Sequence, residues 1–272
     1  MTPASRRLPR IASLVPSLTE LVCALGLGER LVARTGFCIH PKEQVTGVAK
    51  VGGTKDVHLD RLRHLAPTHV LVNVDENRLE TIDAIAAWGD AAPEIVVTHP
   101  LAPADNLALV EQMAATFAAE PGVAGRAAAL GAELAAELAA TTPAGRPERR
   151  VLYLIWHGPW MTVARDTYLS QMLARVGWQT LPEATGGYAG AARYPAVDGS
   201  EPWLADVEDV LLSSEPFVFR AQHVDAARAM CPRARIRRVD GELLGWYGSR
   251  AVAGLRYLRA LADDNDAACV AR

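Results

Sequence analysis

Large aromatic side chains gather in one short stretch of this 272-residue chain, LYLIWHGPWMTVARDTYL at residues 152–169. Although only 6% of the residues are aromatic, Tyr153, Trp156 and Trp160 lie close together, and the turn sequence His157–Gly158–Pro159 separates the two tryptophans. Trp and Tyr can stack on a planar ligand while their polar edge meets water. Because the apolar run before the turn is typical of a strand, we expect at least one tryptophan to contact a ligand. The alternative is that both close the top of a hydrophobic core.

A second dense cluster is GELLGWYGSRA at residues 241–251, where Trp246 and Tyr247 precede a helical pattern. Ser249 is a candidate N-cap of that last helix. Arg250 then lies in its first turn, where the helix dipole favours anions rather than cations. This conflict leaves two readings for Arg250. Its guanidinium either pairs with a carboxylate or phosphate group, or it is solvated.

Strands alternate with helices from the start of the chain, which predicts parallel sheets. In open parallel sheets, ligands bind at the carboxyl ends of the strands. The residues that follow the predicted strands, taken with the two aromatic clusters, give these ligand-binding candidates: Ser17, Phe37, Cys38, His40, Glu76, Trp156, Trp160, Glu215, Trp246, Tyr247 and Arg250. For the two glutamates, a solvated carboxylate after a strand is the alternative.

The alternation of strands and helices is interrupted once, by an Ala-rich stretch of high helix propensity at residues 122–142. The sequence therefore predicts an α/β fold with two Rossmann-like lobes of mainly parallel sheets, residues 10–121 and 150–268, joined by this single long backbone helix. The first helix of the chain is expected to begin with a capping box formed by Ser17 and Glu20.

Two segments of the chain resemble each other, HLAPTHVLVNVDEN in the first predicted lobe and WLADVEDVLLSSEP in the second. Each has Leu-Ala before an apolar strand, and each strand ends near a glutamate, Glu76 or Glu215. The similarity favours related lobes, although any two α/β units could share such a pattern.

Motifs for catalysis are missing from the sequence. It has no P-loop, no H-E-x-x-H and no G-x-S-x-G motif. The four cysteines are far apart and form no C-x-x-C pair, which argues against a structural zinc site and a disulfide framework: Cys23, Cys38, Cys231 and Cys269. The sequence thus carries none of these catalytic signatures, and we expect no metal site and no intrinsic cofactor.

Histidines leave a second hypothesis open. His64 and His69 flank a helix end and are expected to face solvent, whereas other histidines follow strands. The alternative function is a cytosolic metal-binding enzyme or metallochaperone on the same two-lobed scaffold, using His40, His99 or His157 with Glu76 or Glu215.

Charge and hydropathy exclude some partners. The net charge of -3 gives no electrostatic footprint for nucleic acid, and no run of about 20 apolar residues suits a membrane span. The opening MTPASRRLPR is basic, but no apolar signal-peptide region follows it. We expect a cytoplasmic protein as written, and a periplasmic one if the true start lies upstream.

Three segments resemble the iron-siderophore and vitamin B12 periplasmic binding proteins of ABC transporters. They are RIASLVPSLTELVCALGLGERLVARTGFCIHP, VGGTKDVHLDRLRHLAPTHVLVN and WYGSRAVAGLRYL. The resemblance extends over about residues 10–262. It implies two lobes bridged by a rigid helix, and a non-enzymatic protein that holds a corrinoid or a ferric chelate in the cleft between the lobes, for ABC-type uptake or cytoplasmic handling.

The resemblance also implies roles for individual residues. Ser17 and Phe37–Cys38 match ligand-facing positions of the first lobe, and Trp156, Trp160 and Trp246–Tyr247 match those of the second. One acidic residue on each lobe commonly docks on the permease in this family. Asp60 occupies the first such position; the second is in doubt, because Glu242 is nearby but not aligned. We expect a monomer.

Overall fold

The computed structural model describes residues 8–270, with side chains through residue 264. Most of the opening segment MTPASRRLPR, and the side chain of Cys269, therefore lie outside the described residues. The other three cysteines are free and buried. Among the helices of the described part, none combines the length and apolar character that crossing a bilayer requires.

The described residues form two compact units. The first contains residues 8–99, 107–132 and 247–250, and the second contains residues 100–106, 133–246 and 251–270. Relative to the predicted lobes, residues 100–106 and 247–250 group with the opposite unit. The Ala-rich helix predicted at 122–142 is present as α6 (Val123–Ala140), and the division between the units falls inside it.

The first unit is built on a five-stranded parallel sheet. Its strands are β1 (Ile11–Ser13), β2 (Leu31–Arg34), β3 (Ala49–Lys50), β4 (His69–Asn73) and β5 (Glu94–Thr98), in the order β3-β2-β1-β4-β5. The helices between them are α1 (Pro16–Ala24), α2 (Lys42–Val45), α3 (Leu59–His64), α4 (Leu79–Ala86) and, partly in this unit, α5 (Asp105–Thr116). Apolar residues such as Ala12 and Val70 are fully buried, as is typical of a parallel sheet covered on both faces.

The second unit has a four-stranded parallel sheet and a small antiparallel ribbon. The sheet contains β6 (Arg149–Leu154), β8 (Trp178–Thr180), β10 (Asp209–Ser213) and β11 (Arg235–Val239), in the order β11-β10-β6-β8. The ribbon pairs β7 (Trp160–Met161) with β9 (Ala196–Val197). The helices are α7 (Tyr168–Ala174), α8 (Ala221–Met230), α9 (Gly241–Gly245) and α10 (Arg250–Val270). The predicted α/β class with parallel sheets is confirmed.

Two local predictions are wrong. The first helix has no Ser17–Glu20 capping box, because α1 begins at Pro16, with Val15 as its N-cap and Ser17 inside the helix. Proline suits the first helical position, since its missing N–H would have had no partner there. His69 does not face solvent: its side chain is only 17% exposed and its ring lies 4.9 Å from that of Phe117. His64 is exposed, as expected.

Two helical glycines form a matched pair for testing the packing of the second unit. A Cβ on Gly254 of α10 would overlap the carbonyl oxygen of Leu243, whereas a Cβ on Gly131 of α6 would meet nothing. We expect Gly254→Ala to lower the free energy of unfolding by about 1–3 kcal/mol through overpacking. Gly131→Ala should raise it by up to about 1 kcal/mol through helix propensity. Urea denaturation followed by circular dichroism measures the free energy of unfolding of both variants. A Gly254→Ala protein as stable as the wild type would contradict the close packing of Gly254 against Leu243.

Candidate functional site

The strand order of each sheet locates the edge where ligands bind in folds of this type. In the second unit the chain leaves β6 toward β8 on one side and leaves β10 toward β11 on the other, so connections diverge between β6 and β10. In the first unit they diverge between β1 and β4. In open parallel sheets the crevice at such a switch point, beyond the carboxyl ends of the strands, is the usual ligand site.

The switch point of the second unit is occupied by rings. Trp156 and Trp160 come after β6, and Phe217 lies after β10, with its ring 5.3 Å from that of Trp156. The Trp160 and Phe219 rings are stacked 6.0 Å apart. We call this group the aromatic cluster, and its members are Trp156, His157, Trp160, Phe217, Phe219 and His223.

The turn after β6 explains why Trp156 and Trp160 differ in solvent exposure. Trp156 forms an isolated antiparallel bridge with Met161, and the backbone reverses between them through Gly158, whose φ of 90° is unfavourable for other residues. Trp156 is 41% exposed, whereas Trp160 is half-buried and packs against the core of the unit. Trp160 therefore helps to close the core, as in the alternative reading, whereas Trp156 is exposed to solvent and its contact with a ligand stays a prediction.

Sequence reasoning missed half of the aromatic cluster. Phe217, Phe219 and His223 follow the predicted strand DVLLSS, but the predicted ligand-binding residues of that region include only Glu215. The signal was available, because EPFVF places two aromatic residues at alternate positions directly after a buried strand. Alternate positions of an extended segment point to the same side, so one aromatic residue there implies the other.

Glu215 and Glu76 each accept a hydrogen bond from one residue of the pair Trp246–Tyr247. In the second unit, the indole N–H of Trp246 donates to Glu215 Oε1 at 2.6 Å. In the first unit, the hydroxyl of Tyr247 donates to Glu76 Oε1 at 2.9 Å. Neither glutamate is the solvated carboxylate of the alternative reading. Glu215 follows β10 and Glu76 follows β4. In each unit, that strand neighbours the first strand of the sheet, as the internal similarity suggests.

The switch point of the first unit is polar. Besides the Tyr247–Glu76 bond, His99 Nε2 lies 3.5 Å from Asp75 Oδ2, and the Lys55 ammonium donates to the Asp75 carbonyl at 2.7 Å. Burial, reinforced by the charge of Glu76, raises the pKa of the Tyr247 phenol well above its usual range. Tyr247 therefore stays a neutral donor at physiological pH. We call Lys55, Asp75, Glu76, His99 and Tyr247 the polar cluster.

The loop after β2 presents an apolar surface but not a thiol. Phe37 and Ile39 are 64% and 50% exposed, and His40 is half-buried. Cys38 is fully buried, its sulfur lies 3.1 Å from the Thr35 hydroxyl, and burial raises the pKa of its thiol. Phe37 is thus exposed, and its contact with a ligand stays a prediction, whereas Cys38 is buried in the interior of the first unit.

Arg250 has the carboxylate partner that its position suggests. Its guanidinium makes two hydrogen bonds to Glu20, Nε to Oε2 at 2.7 Å and Nη2 to Oε1 at 3.0 Å. Ser249 precedes α10 as expected, but its buried hydroxyl makes no hydrogen bond to the described residues. Ser17 is buried in α1. Arg250 is therefore engaged by the protein itself at the candidate site.

The two acidic residues considered for permease docking differ in exposure. Asp60 lies in the first turn of α3 and is exposed, whereas Glu242 lies in α9 and is half-buried. No three His, Cys, Asp or Glu side chains of the described residues come together as a group that could hold a metal ion. Among the described residues, His40, His99 and His157, named in the alternative metal-binding hypothesis, belong to no such group.

Solved structures with a similar fold include proteins named for binding heme and vitamin B12. The periplasmic heme-binding protein RhuT from Roseiflexus sp. RS-1 aligns with 94% of this chain and 99% of its own, at a TM-score of 0.74 and 21% identity. The periplasmic vitamin B12 binding protein BtuF of Vibrio cholerae aligns with 93% of this chain and 97% of its own, at a TM-score of 0.72 and 18% identity. The chain has the fold of these binding proteins. At such identities the likeness establishes the fold alone.

Curated relatives match over a shorter stretch. A vitamin B12-binding protein of Photorhabdus laumondii is 32% identical over 80 residues, which is 29% of this chain and 29% of the relative. One from Yersinia pestis is 34% identical over 80 residues, 29% of this chain and 28% of the relative. The chain thus matches less than a third of the length of these relatives. No family model matches it.

The Glu215–Trp246 bond can be tested by a pair of substitutions. Glu215→Ala leaves the indole N–H of Trp246 without this acceptor, and we expect the free energy of unfolding to fall by about 1.5–3 kcal/mol, the range for hydrogen bonds to charged groups. Glu215→Gln keeps a carbonyl oxygen and should lose less than half as much. Glu183→Ala, which breaks an exposed ion pair with Arg165, is the control and should change stability by under about 0.5 kcal/mol. Equal losses for Glu215→Ala and Glu183→Ala would contradict the assignment.

Proposed function

We propose that the protein is a substrate-binding protein for a large planar metal chelate, a corrinoid or a haem, and serves ABC-type uptake of that ligand. The observation that carries the proposal is the aromatic cluster at the switch point of the second sheet. The names of proteins with the same fold support it, since they include a vitamin B12 binding protein and a heme-binding protein.

The shape of the aromatic cluster favours a planar ligand. Its accessible groups include the rings of Trp156, Phe217 and His157, which offer faces for stacking, and the indole and imidazole rings also carry polar nitrogens. A tetrapyrrole-like chelate can cover such faces over its whole area, and buried aromatic contact dominates the energetics of such sites. A compact ferric siderophore would leave more of the rings exposed, so we rank it below a corrinoid or a haem.

The remaining parts of the proposal concern transport. A binding protein of this class holds its ligand without changing it, so the protein is proposed to be non-enzymatic and to act in the periplasm with a permease. Asp60 is the exposed acid proposed to dock on that permease.

Tryptophan substitution tests the proposed site. The purified full chain is titrated with cyanocobalamin, haemin or a ferric hydroxamate siderophore while tryptophan fluorescence is recorded. We expect quenching by a corrinoid or haem, and Trp156→Ala should weaken that binding at least about tenfold, equivalent to 1.4 kcal/mol of lost stacking. Trp88→Phe is the control, because Trp88 belongs to the first unit and stacks against Arg63. Equal affinities of Trp156→Ala and wild type, or binding of the siderophore only, would contradict the proposal.

A further inference from the structure

His223 lies at the centre of the aromatic cluster. Its ring centroid is 4.8 Å from that of His157, 5.1 Å from that of Phe217 and 5.9 Å from that of Phe219. The side chain belongs to the first turn of α8 and is buried, with 6% of the residue exposed. A change in this one imidazole therefore reaches most of the rings of the cluster.

The hydrogen bond at Nδ1 fixes the protonation state of His223. Nδ1 accepts the backbone N–H of Arg220 at 2.8 Å, one of the donors that a helix N-terminus leaves without an intrahelical partner. An imidazole that accepts at Nδ1 is neutral and carries its proton on Nε2. Nε2 lies 3.4 Å from the side-chain amide nitrogen of Gln222. Both groups are donors in this orientation, and turning the amide by 180° brings its oxygen to face the Nε2 proton.

The surroundings of His223 oppose protonation. The charged or titratable side chains that act on it in the described structure are His157, in the turn after β6, and Arg220, at the start of α8; Phe217 and Phe219 are uncharged. A proton on Nδ1 would face the N–H of Arg220, and the new cation would sit at a helix N-terminus, where the dipole is unfavourable. Burial, followed by His157 and Arg220, lowers the pKa of the His223 imidazole.

We propose that His223 is a positioning residue that holds the aromatic cluster in its binding conformation only while its imidazole is neutral, so that acid releases the planar ligand. The release rests on the proposed function, whereas the rearrangement of the free protein does not. Because the folded-state pKa is depressed, the stabilisation by neutral His223 is present above the unfolded value of about 6.5 and is lost as the pH falls through the folded-state pKa.

The test compares wild type with His223→Gln at neutral pH and in acid. A glutamine at this helix position can still accept the N–H of Arg220, as in a capping box, but it does not titrate. We expect the near-UV circular dichroism of the free wild-type protein to change below about pH 6.5 and that of His223→Gln to stay constant. Whichever of cyanocobalamin and haemin binds at neutral pH should bind the wild type about tenfold more weakly one unit below the His223 pKa, because only the neutral fraction is competent.

Controls separate His223 from other histidines and from the proposed function. His64→Gln, an exposed change in the first unit, should respond to acid like the wild type. An acid response that survives in His223→Gln, or that His157→Gln alone abolishes, would overturn the proposal. If the wild type binds neither ligand, the proposed function fails, but the circular dichroism of the free protein still decides the role of His223. Should His223→Gln not fold, ¹⁵N NMR of the wild-type imidazoles decides instead: an Nε2–H tautomer at neutral pH is expected, and an Nδ1–H tautomer overturns the proposal.

Discussion

Parallel pairing of the strands in both main sheets is the constraint on which the candidate site depends. Because the main sheet of each unit is parallel throughout, the carboxyl ends of its strands share one edge, and residues far apart in sequence meet there. In the second unit this brings the segment after β6 beside the segment after β10, and their rings form the aromatic cluster. In the first unit the same arrangement brings the segment after β4 beside the start of α1.

The two edges carry different chemistry. The aromatic cluster supplies ring faces and imidazoles, whereas the polar cluster supplies carboxylates, an ammonium and a phenol. The dipeptide Trp246–Tyr247 has one member in each unit, and each member donates to the glutamate that follows a switch-point strand of its own unit. The same kind of hydrogen bond thus occurs in both units, which agrees with the internal similarity between the segments that contain Glu76 and Glu215.

The sequence predicted the architecture because the pattern of apolar strands and amphipathic helices is regular, and α6 appears within two residues of its expected ends. It failed where short elements depend on tertiary contacts. The strand β8 has three residues and β7 and β9 have two each, which is too few for a period of alternating apolar residues to show.

The candidate site was predictable in part for the same reason. Trp156, Glu76 and Glu215 follow predicted strands, and each lies after the carboxyl end of a strand in the structure. The hydrogen bonds between these glutamates and the aromatic dipeptide could not be predicted, since 31 and 171 residues separate the partners. Strand order, which distinguishes a switch point from any other strand end, also depends on crossovers that periodicity does not specify.

The central claim, that the aromatic cluster binds a planar chelate, is tested most directly by NMR of the indole N–H groups of the six tryptophans. Cyanocobalamin or haemin is added stepwise to ¹⁵N-labelled protein, with each signal assigned by a Trp→Phe variant. We expect the signals of Trp156 and Trp160 to shift or broaden most, while those of Trp88 in the first unit and the buried Trp178 hold their positions. Changes confined to Trp88 or Trp178, or no change with either chelate, would contradict it.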